Sequence, residues 1–134
     1  MDKQIDKLGK TGENIMTTDR QRVCRCGANM AEFLNDISIL EANLRIVKAE
    51  KSDIYIPAFR ESVNSINRNI RKIEDDCSID ARDAEHGSSY IYNKIDQMET
   101  IKDPKQFDEK TSDILTDLSR IRYGVVQKVK DCSK

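Results

Sequence analysis

Tryptophan is absent, histidine occurs once, and three Phe with four Tyr make up the whole aromatic set. A thick core built on aromatic rings is therefore not encoded. The 37% of hydrophobic residues must lie mostly in aliphatic side chains on narrow helix stripes, beside wide charged faces. Two Pro and five Gly are few for 134 residues, as in mostly helical chains. No apolar run approaches the ~18 residues of a membrane span. The opening Met1-Asp2-Lys3-Gln4 begins no apolar signal region. The expectation is a soluble intracellular protein, with a secreted form whose signal has been removed left open.

Charge of one sign is missing too. The 23 basic and 24 acidic side chains leave a net charge of −1, without the basic excess of most nucleic-acid binders. The lone His86 rules out a ferritin-like carboxylate-bridged site, which needs Glu-x-x-His on two helices. His86 could pair with Cys24, Cys26 or Cys77, but no spacing selects such a pair. No Gly-x-x-x-x-Gly-Lys phosphate loop occurs. We expect no enzyme activity and no cofactor.

What the chain does contain is a rhythm. Met30, Phe33, Ile37, Leu40, Leu44 and Val47 follow steps of three and four, the heptad seam of a packed helix. Met16, Val23 and Cys26 extend it backwards, and Thr17, Thr18 or Asp19 would cap its start. A second seam runs through Ile56, Phe59, Val63, Ile66, Ile70, Ile73 and Cys77, with Pro57 fitting the first helical position. A third seam is Ala81, Ala84, Ser88, Ile91, Ile95 and Met98. A fourth, Phe107, Thr111, Ile114, Leu118, Ile121, Val125 and, one heptad on, Cys132, follows the strongest boundary, Asp103-Pro104.

These seams predict an all-α fold with helices near 18–50, 57–77, 81–102 and 104–131. Short turns favour antiparallel neighbours, hence an up-down-up-down four-helix bundle with coiled-coil-like seams. The rival is a three-helix bundle with one long helix over 57–102, its phase slipping near Cys77. Residues 1–16 read as a polar N-terminal arm, mobile or loosely docked, and 17–134 as a single helical-bundle domain. Ile37, Leu40, Ile66, Ile70, Ile95 and Leu118 are expected in the core, and Tyr55, Phe59, Met98 and Phe107 at its top end.

The bottom end gathers Cys24, Cys26, Cys77 and Cys132, with Gly27, Gly87 and Gly124 where helix backbones could approach. The thiols could be free core fillers, disulfides or weak metal ligands. Cys26 and Cys77 share a seam on adjacent helices and are the first disulfide pair; Cys24 with Cys132 is the second. Residues two apart on a helix point ~200° apart, so Cys24 and Cys26 do not face one ion on a regular helix.

Arg60, Arg68, Arg71 and Lys72 make a basic stripe on the second helix, and Arg120 and Arg122 lie on the fourth. Such stripes usually serve as solvated faces. The expectation is a non-enzymatic bundle that binds proteins or itself through helical faces, as a structural, adaptor or assembly component. The alternatives are a thiol- or metal-binding bundle and a nucleic-acid-associated protein.

Overall fold

A computed structural model describes residues 12–132 of the chain, with side chains from 26 to 130. Four helices make up the described residues: α1 Gly12–Ile46, α2 Ser52–Cys77, α3 Arg82–Met98 and α4 Pro104–Cys132, with a single 3₁₀ turn Ala49–Lys51 before α2. No strand occurs among them. Each helix packs on the next, and α1 also packs on α4.

The buried residues follow the sequence rhythm closely. Every residue of the second and third seams is buried, as is the fourth from Phe107 to Val125, while the Cys132 side chain lies outside the described residues; on α1, Phe33, Ile37, Leu40, Leu44 and Val47 are buried too. Met30 and Cys26 are half-buried against this cluster. The six core candidates, Ile37, Leu40, Ile66, Ile70, Ile95 and Leu118, are each at most 1% exposed. Phe59, Met98 and Phe107 are fully buried, with Tyr55 half-buried and its ring 5.9 Å from that of Phe59.

The boundaries differ in instructive ways. Thr17, Thr18 and Asp19 do not start α1, which is already helical from Gly12; the rest of the expected arm lies outside the described residues. The C-terminal end of α1 comes at Ile46 rather than Glu50, because Lys48 is extended (φ −124°, ψ 156°) and turns the chain into the 3₁₀ step. The second helix therefore begins at Ser52, and Pro57 lies inside it instead of at its first position. The missing N–H of Pro57 falls in the second turn, where it removes one bond near the helix start.

The rival long helix over 57–102 is not formed. Ser78 sits in the left-handed region at φ 55°, and both Ser78 and Ile79 donate their N–H groups to the Glu74 carbonyl. That arrangement closes α2 as a left-handed C-cap does. Ala81, expected as the first residue of the third helix, precedes α3 instead, and the Asp80 Oδ1 accepts the Arg82 N–H at 3.1 Å. At its far end α3 stops at Met98 instead of Lys102, as Glu99, Thr100 and Ile101 donate to carbonyls three residues back. The start of α4 follows the sequence: Pro104 is its first residue, and Asp103 Oδ2 accepts the Gln106 N–H at 3.0 Å.

Candidate functional site

Cys26 on α1 and Cys77 at the end of α2 form a disulfide, with Cα atoms 5.2 Å apart. Their seam positions face each other at the same depth, so ordinary side-chain geometry brings the sulfurs together. In this bond neither sulfur is a thiolate, which removes both from any metal-ligand set. The side chains of Cys24 and Cys132, the second disulfide candidates, lie outside the described residues. His86 is exposed. Among the described residues, no three His, Cys, Asp or Glu side chains gather as metal ligands.

Around this clamp the turn is held by hydrogen bonds and one ion pair. The Glu74 Oε2 accepts the Ala81 N–H at 2.9 Å. Burial pushes the Glu74 carboxyl up from its ordinary range, with Ala81 opposing and Glu85 adding to the rise. Arg82 donates to both oxygens of Asp80, and with its backbone N–H it holds that carboxyl down at about 2. Lys128 on α4 donates to the Asp80 carbonyl, and Asn29 on α1 donates to Asp76 on α2.

Of the six residues in the basic stripes, four are engaged with carboxylates. Arg60 donates to Asp96 and Glu99, both at 2.8 Å, and the two hydrogen bonds lift its pKa above the arginine norm. Arg71 pairs with Glu85 at 3.1 Å, Arg120 with Asp117 at 3.7 Å, and Arg122 with Glu41 at 2.7 Å. Arg68 and Lys72 are exposed on α2.

The sequence reading missed a set of buried polar residues beside the seams. Lys94 is 7% exposed, and its Nζ donates to Asp117 at 2.7 Å and Asp113 at 2.9 Å. The same ammonium lies 4.4 Å from the centre of the Tyr90 ring. Burial works against its charge, but the two carboxylates outweigh that and raise its pKa. The bond from Lys94 lowers the Asp113 pKa. On the other side of the bundle, Asp36 accepts from Ser65 at 2.6 Å and from the buried Asn69 at 2.7 Å. Asn29, Asp36, Glu41, Asn69 and Lys94 each stand next to a seam residue in sequence. Flanking position was the available signal; the partner was not.

Of the three glycines proposed for close backbone approach, only Gly87 is closely covered, and by a side chain rather than by a helix backbone. A Cβ there would lie 3.0 Å from the Ile121 side chain, whereas Gly27 and Gly124 have open space. Small residues leave a groove of about 280 Å³ between α3 and α4, lined by Ala81, Ala84, Gly87 and Gly124 and edged by Tyr90 and Lys128.

No helix among the described residues is long and apolar enough to cross a membrane. No protein-family model, curated protein or solved structure matches the chain.

Proposed function

We propose that this chain is a non-enzymatic helical-bundle protein that works by binding other proteins, as a structural, adaptor or assembly component. The observation that carries the reading is apolar surface on outer helix faces. Ile39, Ile46, Ile54, Tyr90 and Tyr123 are 47–69% exposed. Scattered exposed hydrophobics are ordinary, but Ile39 and Ile46 stand one heptad apart on a single helix.

The same reading takes the helices as an up-down-up-down bundle with coiled-coil-like seams. It is supported by the order of the bonds between helices. Asn29 meets Asp76 while Asp36 meets Ser65; Arg60 meets Asp96 while Arg71 meets Glu85. Lys94 meets Asp113 while Lys128 meets Asp80. In each pair of helices, early residues of one meet late residues of the other, as in antiparallel neighbours. Buried residues at steps of three and four support knobs-into-holes packing.

One observation favours the thiol reading, the Cys26–Cys77 bond. Structural disulfides persist in oxidising surroundings. An intracellular location therefore goes with reduced cysteines, and alkylation of the protein as isolated, followed by mass measurement, decides between the two. Against the nucleic-acid reading stands the pairing of Arg60, Arg71, Arg120 and Arg122 with carboxylates.

The test is affinity capture from the source cells with the native chain and with a variant carrying serine at Ile39, Ile46, Ile54, Tyr90 and Tyr123. Circular dichroism checks that the variant keeps its helices. A protein retained by the native chain and released by the variant supports the proposal. Tight duplex binding that falls steeply with salt, and disappears on replacing Arg68 and Arg71, overturns it in favour of nucleic acid.

A further inference from the structure

Two ion pairs bracket the space between α2 and α3. Arg60 holds Asp96 at one end, and Arg71 holds Glu85 at the other. Arg60 and Arg71 stand about three turns apart, ~16 Å of helix. Between the pairs lies a cleft of about 280 Å³, walled by Asn64 and Asn67 of α2 and by Ser88, Ser89, Tyr92 and Asn93 of α3, over the buried Val63. None of these side chains is charged, in a chain where 35% of residues are. The exposed Glu61, Arg68 and His86 stand nearby on the same two helices but do not line it. The polar groups of the cleft are mostly without partners. The Ser88 hydroxyl, 1% exposed, donates to the Asn67 Oδ1 at 3.0 Å and to the Glu85 carbonyl at 2.9 Å. That contact fixes the Asn67 amide and leaves its two N–H donors for another acceptor. Among the described residues, the side chains of Asn64, Ser89, Tyr92 and Asn93 make no hydrogen bond. The half-buried Tyr92 supplies the one aromatic ring. The two ion pairs run in opposite order along their helices, which sets Asn64 level with Tyr92 and Asn67 level with Ser89.

We propose that this cleft is a binding site for a neutral saccharide. Three features select that chemistry. A sugar presents neighbouring hydroxyls that both donate and accept, which matches carboxamides and hydroxyls. Its C–H face is apolar and packs against the flat side of an aromatic ring, here Tyr92. The cleft holds no cation or anion to compensate a charged ligand stripped of its water, so a neutral one fits best. The volume lies at the small end of ligand pockets, which limits the occupant to a mono- or disaccharide. The site is independent of the protein-binding reading: it uses none of the exposed apolar residues on which that reading rests.

The experiment is an NMR titration of the full chain that follows the side-chain NH2 resonances of Asn64, Asn67 and Asn93. Maltose, cellobiose, lactose and N,N′-diacetylchitobiose are the probes, each taken to ~50 mM. At least one should shift these resonances with a Kd of ~1–10 mM, as suits a small ligand in an open site. With no ionic contact involved, that Kd should change less than about twofold between ~20 and ~500 mM salt. Asn64→Ala with Asn93→Ala should weaken binding roughly fivefold or more; both residues are exposed, and circular dichroism checks the helices. Tyr92→Leu keeps apolar bulk without the ring and should weaken it roughly threefold or more. Asn35→Ala, on the exposed face of α1, should leave it unchanged. No shift with any of the four sugars overturns the proposal, and so does binding that survives the paired Asn change or the Tyr92 change. Equal shifts with triglycine, a neutral backbone without sugar hydroxyls, overturn it in favour of a peptide site.

Discussion

Lys94 offers the sharpest test of the packing described above. Lys94→Met keeps the aliphatic stem and removes the charge. Two hydrogen bonds disappear, but the consequences for the two carboxylates differ. The Asp113 side chain is 53% exposed and rehydrates; that of Asp117 is 12% exposed and stays largely out of water. The cost therefore concentrates on Asp117. An uncompensated buried charge costs ~3–5 kcal/mol, and Arg120 at 3.7 Å offsets part of it, so we expect a loss of about 2–4 kcal/mol in urea unfolding. Asp113→Asn should cost far less, because that carboxylate stands in water. The double variant Lys94→Met, Asp117→Leu should recover most of the loss, because no charge is then left buried. The pH dependence has a definite sign. The lowered Asp113 pKa contributes stability above the ordinary aspartate value and loses it as pH falls. The raised Lys94 pKa contributes stability below the ordinary lysine value and loses it as pH rises through the folded value. Lys94→Met should flatten both limbs. A single variant costing under half a kcal/mol, or a double variant worse than the single, would refute the reasoning.

Three further outcomes follow from the turn and the clamp. Cys26 and Cys77 are 51 residues apart, so their bond removes about 4 kcal/mol of loop-closure entropy from the unfolded chain; Cys26→Ser with Cys77→Ser should lower urea stability by a comparable amount, and a change below about 1 kcal/mol counts against the clamp. Ser78→Gly should stabilise by roughly 0.5–1 kcal/mol, since glycine adopts φ 55° without a Cβ penalty; an unchanged melting temperature would contradict that. Asp80, held at about 2 against an ordinary 3.8, contributes stability that is lost as pH falls through that interval; Asp80→Asn should remove the corresponding slope from an acid titration followed by circular dichroism.

Much of this was legible without the structure, and the reason is local. A three-four spacing of apolar residues reports which side of a helix is covered, so Ile66, Ile95 and Leu118 could be placed in the core from neighbours alone. Asp103-Pro104 fixed the start of α4 because capping and the missing proline N–H act within one turn. Pro57 misled for the same reason: proline is tolerated at the first position but does not require it, and the extended Lys48 set the start instead. The break at Ser78 was legible too, because Ile79 is the only large apolar residue between Ser78 and Ser89, although no glycine marks the left-handed position there. The Lys94, Glu41 and Asp36 bonds could not be read at all, because their partners lie between 19 and 81 residues away. Such pairs depend on the rotation and height of one helix against another, which periodicity leaves open.

The Cys26–Cys77 bond also decides how the molecule would carry a mechanical load. Tension applied at the two ends passes from Cys26 straight to Cys77 through the sulfurs and skips the covalent loop between them. The 51-residue separation hides roughly 180 Å of extensible chain, at ~3.5 Å per residue. Force reaches α3 and α4, while most of the chain between the two cysteines stays slack. Reduction puts that hidden length in series with the rest, so the oxidised protein behaves as a short tether and the reduced one as a long one.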